Sequence, residues 1–179
     1  MRISLIAILA SLSLLMACDE HHHEGAHAHG HAKLSLALEA DGTLSGELRA
    51  PGADIYGFER QPADDAERAA KDAADAKLVG IAGWLSAGDA CVFDATPPAL
   101  EGKAAGHDHG HGHDEGDDDG HGEVVFAFDA QCPGLKSGSE IDVNLAALFP
   151  TLEKVRVVIV SDSGQRSETL KGGAGKVSL

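Results

Sequence analysis

Hydrophobic and polar residues alternate along much of the chain, as they do in β-strands that bury one face. The run 34–38 places three leucines on one side, and a second alternating run covers residues 44–48. Between them, Asp41-Gly42 is typical of a type I′ turn. These residues therefore predict a β-hairpin, which Pro51-Gly52 ends.

The pattern changes in residues 62–78, which open with a proline, have acidic residues in the first turn and contain many alanines. This composition predicts a helix whose apolar face consists mostly of small side chains. A short buried segment is predicted just before it, at residues 55–58, while residues 79–90 have no clear period.

Strand patterns return in the second half of the chain. Residues 91–96 and 123–128 are predicted to be strands on either side of an insert rich in Gly, His and Asp. Two further alternating runs cover 141–145 and 155–159, and a last pair of weak strands ends at Leu179.

One main helix among about seven strands with short connections predicts the α+β class. We expect an antiparallel β-sheet that carries this helix and a disordered His/Asp/Gly-rich insert. The chain has 179 residues, enough for a single core. The predicted organisation is one domain over residues 33–179, with a His-rich loop at 102–122.

Charge narrows the possible partners. The formal net charge is −15, from 29 acidic and 14 basic residues, which argues against nucleic acid or an anionic lipid surface as a partner. The histidines are more informative, because all eleven fall in two short tracts. The first tract contains His21, His22, His23, His27, His29 and His31, and the second contains His107, His109, His111, His113 and His121.

Imidazoles in this arrangement are suited to binding zinc, nickel or copper ions. In extended backbone, residues two apart share a face, so His27, His29 and His31 are expected to converge, as are His107, His109, His111 and His113. Nearby carboxylates can complete the coordination; the candidates are Asp108, Asp114 and Asp117. Without bulky apolar anchors, the tracts predict several exchangeable sites that weaken below about pH 6.5, where free histidine becomes protonated.

Other interpretations of the tracts were weighed. Residues 23–27 match H-E-x-x-H, but zincin catalysis needs a stable helix, and Gly25 lies inside the motif. The chain is therefore not expected to be an enzyme. A purification tag, a solvated linker and a pH sensor are the remaining alternatives. Near the C-terminus, residues 172–176 resemble a phosphate-binding loop, but Val177 replaces the required Ser or Thr.

The N-terminus predicts export. Residues 1–17 have one cationic residue and then an apolar run, as in a signal peptide. The sequence Leu15-Met16-Ala17-Cys18 resembles a lipobox, which predicts lipidation of Cys18 and a flexible His-rich tail over residues 18–32. An ordinary secretory signal is the alternative. Asp19 resembles an inner-membrane retention signal, so we expect a lipid-anchored periplasmic protein.

The two remaining cysteines, Cys91 and Cys132, are an even pair in a chain predicted to be exported. Such a pair indicates a disulfide, with two separate buried thiols as the alternative. The bridge would enclose the whole second histidine tract, and we expect it to hold the insert at its base.

The order of motifs along the chain resembles the ZrgA-type family of zinc-regulated periplasmic proteins. The shared elements are HAHGHAKLSLALE, GFERQP before an Ala-rich helix, Asp89-Ala90-Cys91 before the insert, FDAQC, and LFPTLEKVRVVIVSDSGQ. The resemblance implies zinc binding in support of a periplasmic zinc-binding protein or ABC-type zinc importer. The family often has His where this chain has Arg60, and relatives are more simply periplasmic.

Two other functions are consistent with the same residues. Sequestration under metal excess uses the same chemistry, and a metal-independent envelope binding module would carry the tracts as tails. Zinc as the metal depends on the resemblance, since copper and nickel would bind isolated tracts at least as tightly.

Overall fold

The computed structural model describes residues 28–88, 90–102 and 122–179. Within these ranges the chain forms two α-helices and ten β-strands. The helices are α1 (Gly52–Ile55) and α2 (Asp65–Val79). The strands are β1 (His31–Leu38), β2 (Thr43–Pro51), β3 (Leu85–Ser86), β4 (Val92–Ala95), β5 (Ala99–Glu101), β6 (Glu123–Gln131), β7 (Glu140–Asn144), β8 (Lys154–Ser161), β9 (Gly164–Lys171) and β10 (Ala174–Ser178).

The predicted hairpin is confirmed, because β1 and β2 pair antiparallel from Lys33–Arg49 to Leu38–Leu44. Its turn differs from the type I′ prediction. Gly42 has a φ of 88°, but Asp41 does not have a positive φ, and Gly42 N–H donates to Glu39 O at 3.1 Å. These features are those of a three-residue loop, in which a type I turn precedes a left-handed glycine.

The α+β class is confirmed at the level of a mostly antiparallel β-structure with one main helix, but the sheet is not purely antiparallel. Seven strands form the larger sheet in the order β4-β6-β2-β1-β8-β9, with β5 also paired to β6. Strands β1 and β8 run parallel, from His31–Lys154 to Ala37–Val160. The expectation of an antiparallel sheet is wrong at this pair, which joins segments far apart in sequence.

A second, three-stranded sheet has the order β10-β7-β3. The last two strands therefore do not pair with each other: β9 pairs with β8 and β10 with β7. Trp84, just before β3, is 2% exposed and lies edge-on to Phe126 and Phe128 of β6. Its indole N–H donates to Leu78 O at 3.0 Å, which satisfies the one polar group that this side chain buries.

The predicted helix is confirmed as α2, which begins three residues after the predicted start. Asp64 is its N-cap and accepts a hydrogen bond from the Glu67 N–H at 2.8 Å. Only Ala74 and Leu78 are buried along it. The hydroxyl of Tyr56, beyond α1, donates to Asp75 Oδ1 at 2.6 Å and ties the two helices together.

The Cys91–Cys132 disulfide is confirmed, with a Cα–Cα distance of 4.2 Å. Its expected position at the base of the insert is wrong. Cys132 follows the last residue of β6, whereas the insert joins β6 before its first residue, Glu123. The length of β6, about 26 Å at 3.3 Å per residue, separates them. The bridge therefore fixes β4 to the end of the sheet opposite the insert.

We expect the double variant Cys91→Ala, Cys132→Ala to lose about 2–4 kcal/mol in its free energy of unfolding, because the bridge closes a loop of 41 residues in the unfolded chain. Urea unfolding followed by Trp84 fluorescence measures this loss. The reduced wild-type protein should unfold like the variant. An unchanged free energy of unfolding in both would contradict the prediction.

Candidate metal-binding end of the larger sheet

Both histidine tracts join the fold at the same end of the larger sheet. The first tract runs into β1 at His31, and the insert lies between the end of β5 and the start of β6. The strand register aligns these points. Lys33 pairs with Arg49, so His31 lies level with Pro51, and both Pro51 and Glu101 pair with Glu123. Strand β2 alone separates β1 from β6, so the attachment points are about 10 Å apart.

The last residues of the first tract form a turn that is anchored to the fold. His31 N–H donates to Ala28 O at 3.1 Å, and Gly30 has a φ of 78°. Gly30 N–H donates to Asp54 Oδ2 at 2.6 Å, while Gly30 O accepts from the N–H groups of Glu153 and Lys154. The extended backbone expected here is therefore wrong at Gly30, whose positive φ reverses the chain.

The two histidines of this turn have different surroundings. His29 is exposed, and its Nδ1 lies 3.7 Å from Oε1 of Glu59. His31 is the first residue of β1 and is also exposed, on the outward face that it shares with Lys33. The expected convergence of His29 and His31 on one face of a strand is thus replaced by a pairing of His29 with a carboxylate.

Glu59 is the residue that both attachment points contact. Its side chain is 17% exposed and faces His29, and its carbonyl oxygen packs against Gly122, which precedes β6. Gly122 O in turn accepts a hydrogen bond from Gly52 N–H at 2.7 Å. A carboxylate beside an imidazole can bind a metal ion directly or orient the histidine that does.

Sequence reasoning did not assign Glu59 as a candidate ligand. It appeared only within the GFERQP segment that supports the family resemblance. Because thirty residues separate it from His29 along the chain, no local spacing indicated that they meet.

Arg60 has a structural partner. Its guanidinium donates to both carboxylate oxygens of Glu67, at 2.6 and 2.8 Å. Glu67 also accepts from Ala63 N–H at 2.6 Å, before the start of α2. The Arg60 hydrogen bonds, and then the Ala63 N–H, lower the pKa of Glu67 to about 2. Arg60 thus holds the start of α2 through Glu67.

Three carboxylates surround one arginine at the base of the insert. Arg49 lies 2.7 Å from Glu47, 2.9 Å from Glu123 and 3.7 Å from Glu101. The hydrogen bonds that Arg49 donates to Glu47 and then to Glu123 raise the pKa of Arg49. The guanidinium offsets the repulsion between Glu101 and Glu123, which are directly opposite each other in β5 and β6.

The other candidate residues lie outside the described ranges. These are Cys18, His21, His22, His23, His27, His107, Asp108, His109, His111, His113, Asp114, Asp117 and His121. Among the residues that the structure describes, no three His, Cys, Asp or Glu side chains form a group that could hold a metal ion. None of the helices in these same ranges is long and apolar enough to cross a membrane.

These features define a class of protein, a small α+β domain with histidine-rich segments joined to one end of its larger sheet. A family model described as ZrgA family zinc uptake protein matches residues 26–179. The chain therefore belongs to the ZrgA family of zinc uptake proteins, which confirms the resemblance found in its motifs. The family is one of zinc uptake and not of enzymes. No curated protein matches the chain.

Gly122→Ala should destabilise the protein, because a Cβ at this position would lie 2.2 Å from the carbonyl oxygen of Glu59. Relieving a clash with backbone typically costs about 1–3 kcal/mol in the free energy of unfolding. Gly83→Ala is the matched control, since its Cβ would meet no atom within 4 Å. Equal unfolding free energies for the two variants, measured in urea, would contradict this packing.

The Arg60–Glu67 contact should make the free energy of unfolding depend on pH in the acidic range. Since the folded-state pKa of Glu67, about 2, lies below its ordinary 4.5, the contact stabilises the fold above pH 4.5 and is lost as pH falls toward 2. We expect wild type to unfold at higher urea than Glu67→Gln at neutral pH, with the gap closing across that window. Arg60→Gln should behave like Glu67→Gln. A gap that does not change with pH would rule the contact out.

Proposed function

We propose that this chain is an exported zinc-binding accessory protein that captures zinc on its two histidine tracts and passes it to a periplasmic ABC-type importer. The observation that carries the proposal is the common attachment of both tracts at one end of the larger sheet. Membership of a zinc uptake family supports zinc as the metal.

Attachment about 10 Å apart favours ligands from both tracts on one ion. Zinc takes four ligands, and imidazole nitrogen and carboxylate oxygen are both suitable. Each tract alone offers these groups on a chain that the ion itself has to order. When two tracts start from neighbouring strands, a ligand from the second is present at high effective concentration once the first has bound. His29 with Glu59 supplies an anchored first pair of candidate ligands.

The same end of the sheet would face the membrane. Lipidation at Cys18, within an envelope protein anchored to the inner membrane as Asp19 suggests, would leave ten residue steps before the anchored turn at Ala28. Ten extended residues span at most about 33 Å. The tether would thus keep the histidine tracts near the bilayer in which an importer lies, which suits delivery of zinc better than bulk storage.

The test is a competitive zinc titration of the protein without its signal peptide, beside two deletions that the fold should tolerate. One begins the chain at Ala28. The other removes residues 103–121, which leaves Gly102 and Gly122 as a two-residue connection between the directly opposed Glu101 and Glu123. Each deletion should lower the zinc stoichiometry, and the double deletion should abolish tight binding.

Unfolding in urea provides the control for this titration. Both deletions should keep the unfolding free energy of the metal-free protein, since the anchors at Gly30 and Gly122 remain. Unchanged zinc stoichiometry and affinity in a folded double deletion would overturn the proposal and favour a metal-independent envelope binding module.

A further inference from the structure

Strand β9 forms one edge of the larger sheet in the part of the chain that the structure describes, since the strand order ends with β9 beside β8. All eight of its residues are in register with β8, from Lys154–Lys171 to Ser161–Gly164. In an antiparallel pair, alternate residues direct their N–H and C=O groups away from the partner. An edge strand of this length therefore offers a row of backbone hydrogen-bonding groups to another strand.

The opposite edge of the same sheet is protected. Strands β4 and β5, which both pair with β6, have only four and three residues. Pro97 and Pro98 lie between them and have no N–H to donate. Short strands and prolines are two of the means by which proteins prevent edge-to-edge pairing. Strand β9 has neither feature, so its edge is where the larger sheet can be extended.

Two opposite charges flank Ser167 in the middle of β9. Arg166 is exposed and lies beside Ile159 of β8, which is buried. Glu168 is half-buried and lies beside Val157, which is also buried. The two charged residues therefore share the core-side face of the sheet at its edge. Among the residues that the structure describes, neither Arg166 nor Glu168 forms an ion pair.

Charge distinguishes the registers in which β9 could pair with a second copy of itself. Two copies related by a two-fold axis pair antiparallel, and residues with outward backbone groups lie opposite each other, so the axis passes through a residue pair. Centred on Ser167, the pairing places Arg166 of each copy opposite Glu168 of the other. Centred on Arg166 or Glu168, it places two like charges opposite each other, which is unfavourable.

The same charges discourage other partners. Charged residues on the core side of an edge strand ordinarily oppose edge-to-edge pairing. A strand with an apolar residue or a like charge opposite Arg166 is therefore disfavoured, whereas a second β9 supplies the complementary charge at both positions. On the outward face, the register centred on Ser167 places Gln165 opposite Thr169, so both faces of the pairing are free of like charges.

We propose that two copies of this chain associate through β9, antiparallel and centred on Ser167, and thereby join their larger sheets into one continuous sheet. Two symmetric Arg166–Glu168 ion pairs set the register. The contact uses no metal and no residue of the histidine tracts, so it goes beyond the proposed zinc function and is tested independently of it. A single edge pairing buries little surface, so the dimer is weak and dissociates on dilution.

Sedimentation equilibrium of the chain from Asp19 onward tests this association, with a chelator present so that no metal joins two copies. The molar mass should rise toward that of two copies as concentration increases. Arg166→Glu and Glu168→Arg should each raise the dissociation constant about ten-fold, because each puts two like-charge pairs into the dimer. Arg68→Glu, the same change at an exposed arginine of α2, should leave it unchanged.

Charge exchange makes the test specific to the register. The double variant Arg166→Glu, Glu168→Arg should dimerise as wild type does, and an equimolar mixture of the two single variants should form a mixed dimer. Amide hydrogen exchange of residues 165–169 should slow with rising concentration in wild type and the double variant. A wild-type protein that stays monomeric throughout would overturn the proposal. A dimer that both single variants retain, or that charge exchange does not restore, would overturn it as well.

Discussion

The pairing of β2 with β6 is the constraint on which the rest of the structure depends. Nine residue pairs run from Thr43–Gln131 to Pro51–Glu123 and join the predicted hairpin to the strand that follows the insert. The pairing sets Phe126 and Phe128 into the core, where they meet Trp84 from the smaller sheet. It also places the insert at one end of β6 and the disulfide-bonded Cys132 at the other end.

Periodicity predicted which residues face the core far better than which strands pair. The leucines of β1 and the alternating residues of β8 are buried as expected. Alternation identifies a buried face, but it contains no information about which strand pairs with it, here one that lies 123 residues further along the chain. The parallel β1–β8 pair was missed for that reason. Strand β3 was missed because two residues are too few to show a period.

The candidate ligands could be predicted from the sequence, but their arrangement in the structure could not. Clustering of every histidine in two tracts follows from the sequence alone. The meeting of His29 with Glu59 does not, because it depends on a turn at Gly30 that is held by three backbone–backbone hydrogen bonds and by one to the Asp54 side chain. Likewise, the disulfide was correctly paired but wrongly positioned, since the sequence order of Cys91, insert and Cys132 conceals the length of β6 between them.

Charged side chains are distributed unevenly over the strands of the larger sheet. Most cations of the larger sheet lie on β1, β8 and β9, whereas β2 and β6 carry Glu47, Glu123 and Asp129 together with Arg49, which pairs with the first two. Positive charge near candidate metal ligands repels cations, which disfavours metal binding unless nearby negative charge offsets it. Residues 103–121, which are attached at the same end, contain six acidic residues and five histidines. The attachment of this acidic, histidine-rich segment at the same end as the cations of β1 and β8 therefore favours the proposed metal binding.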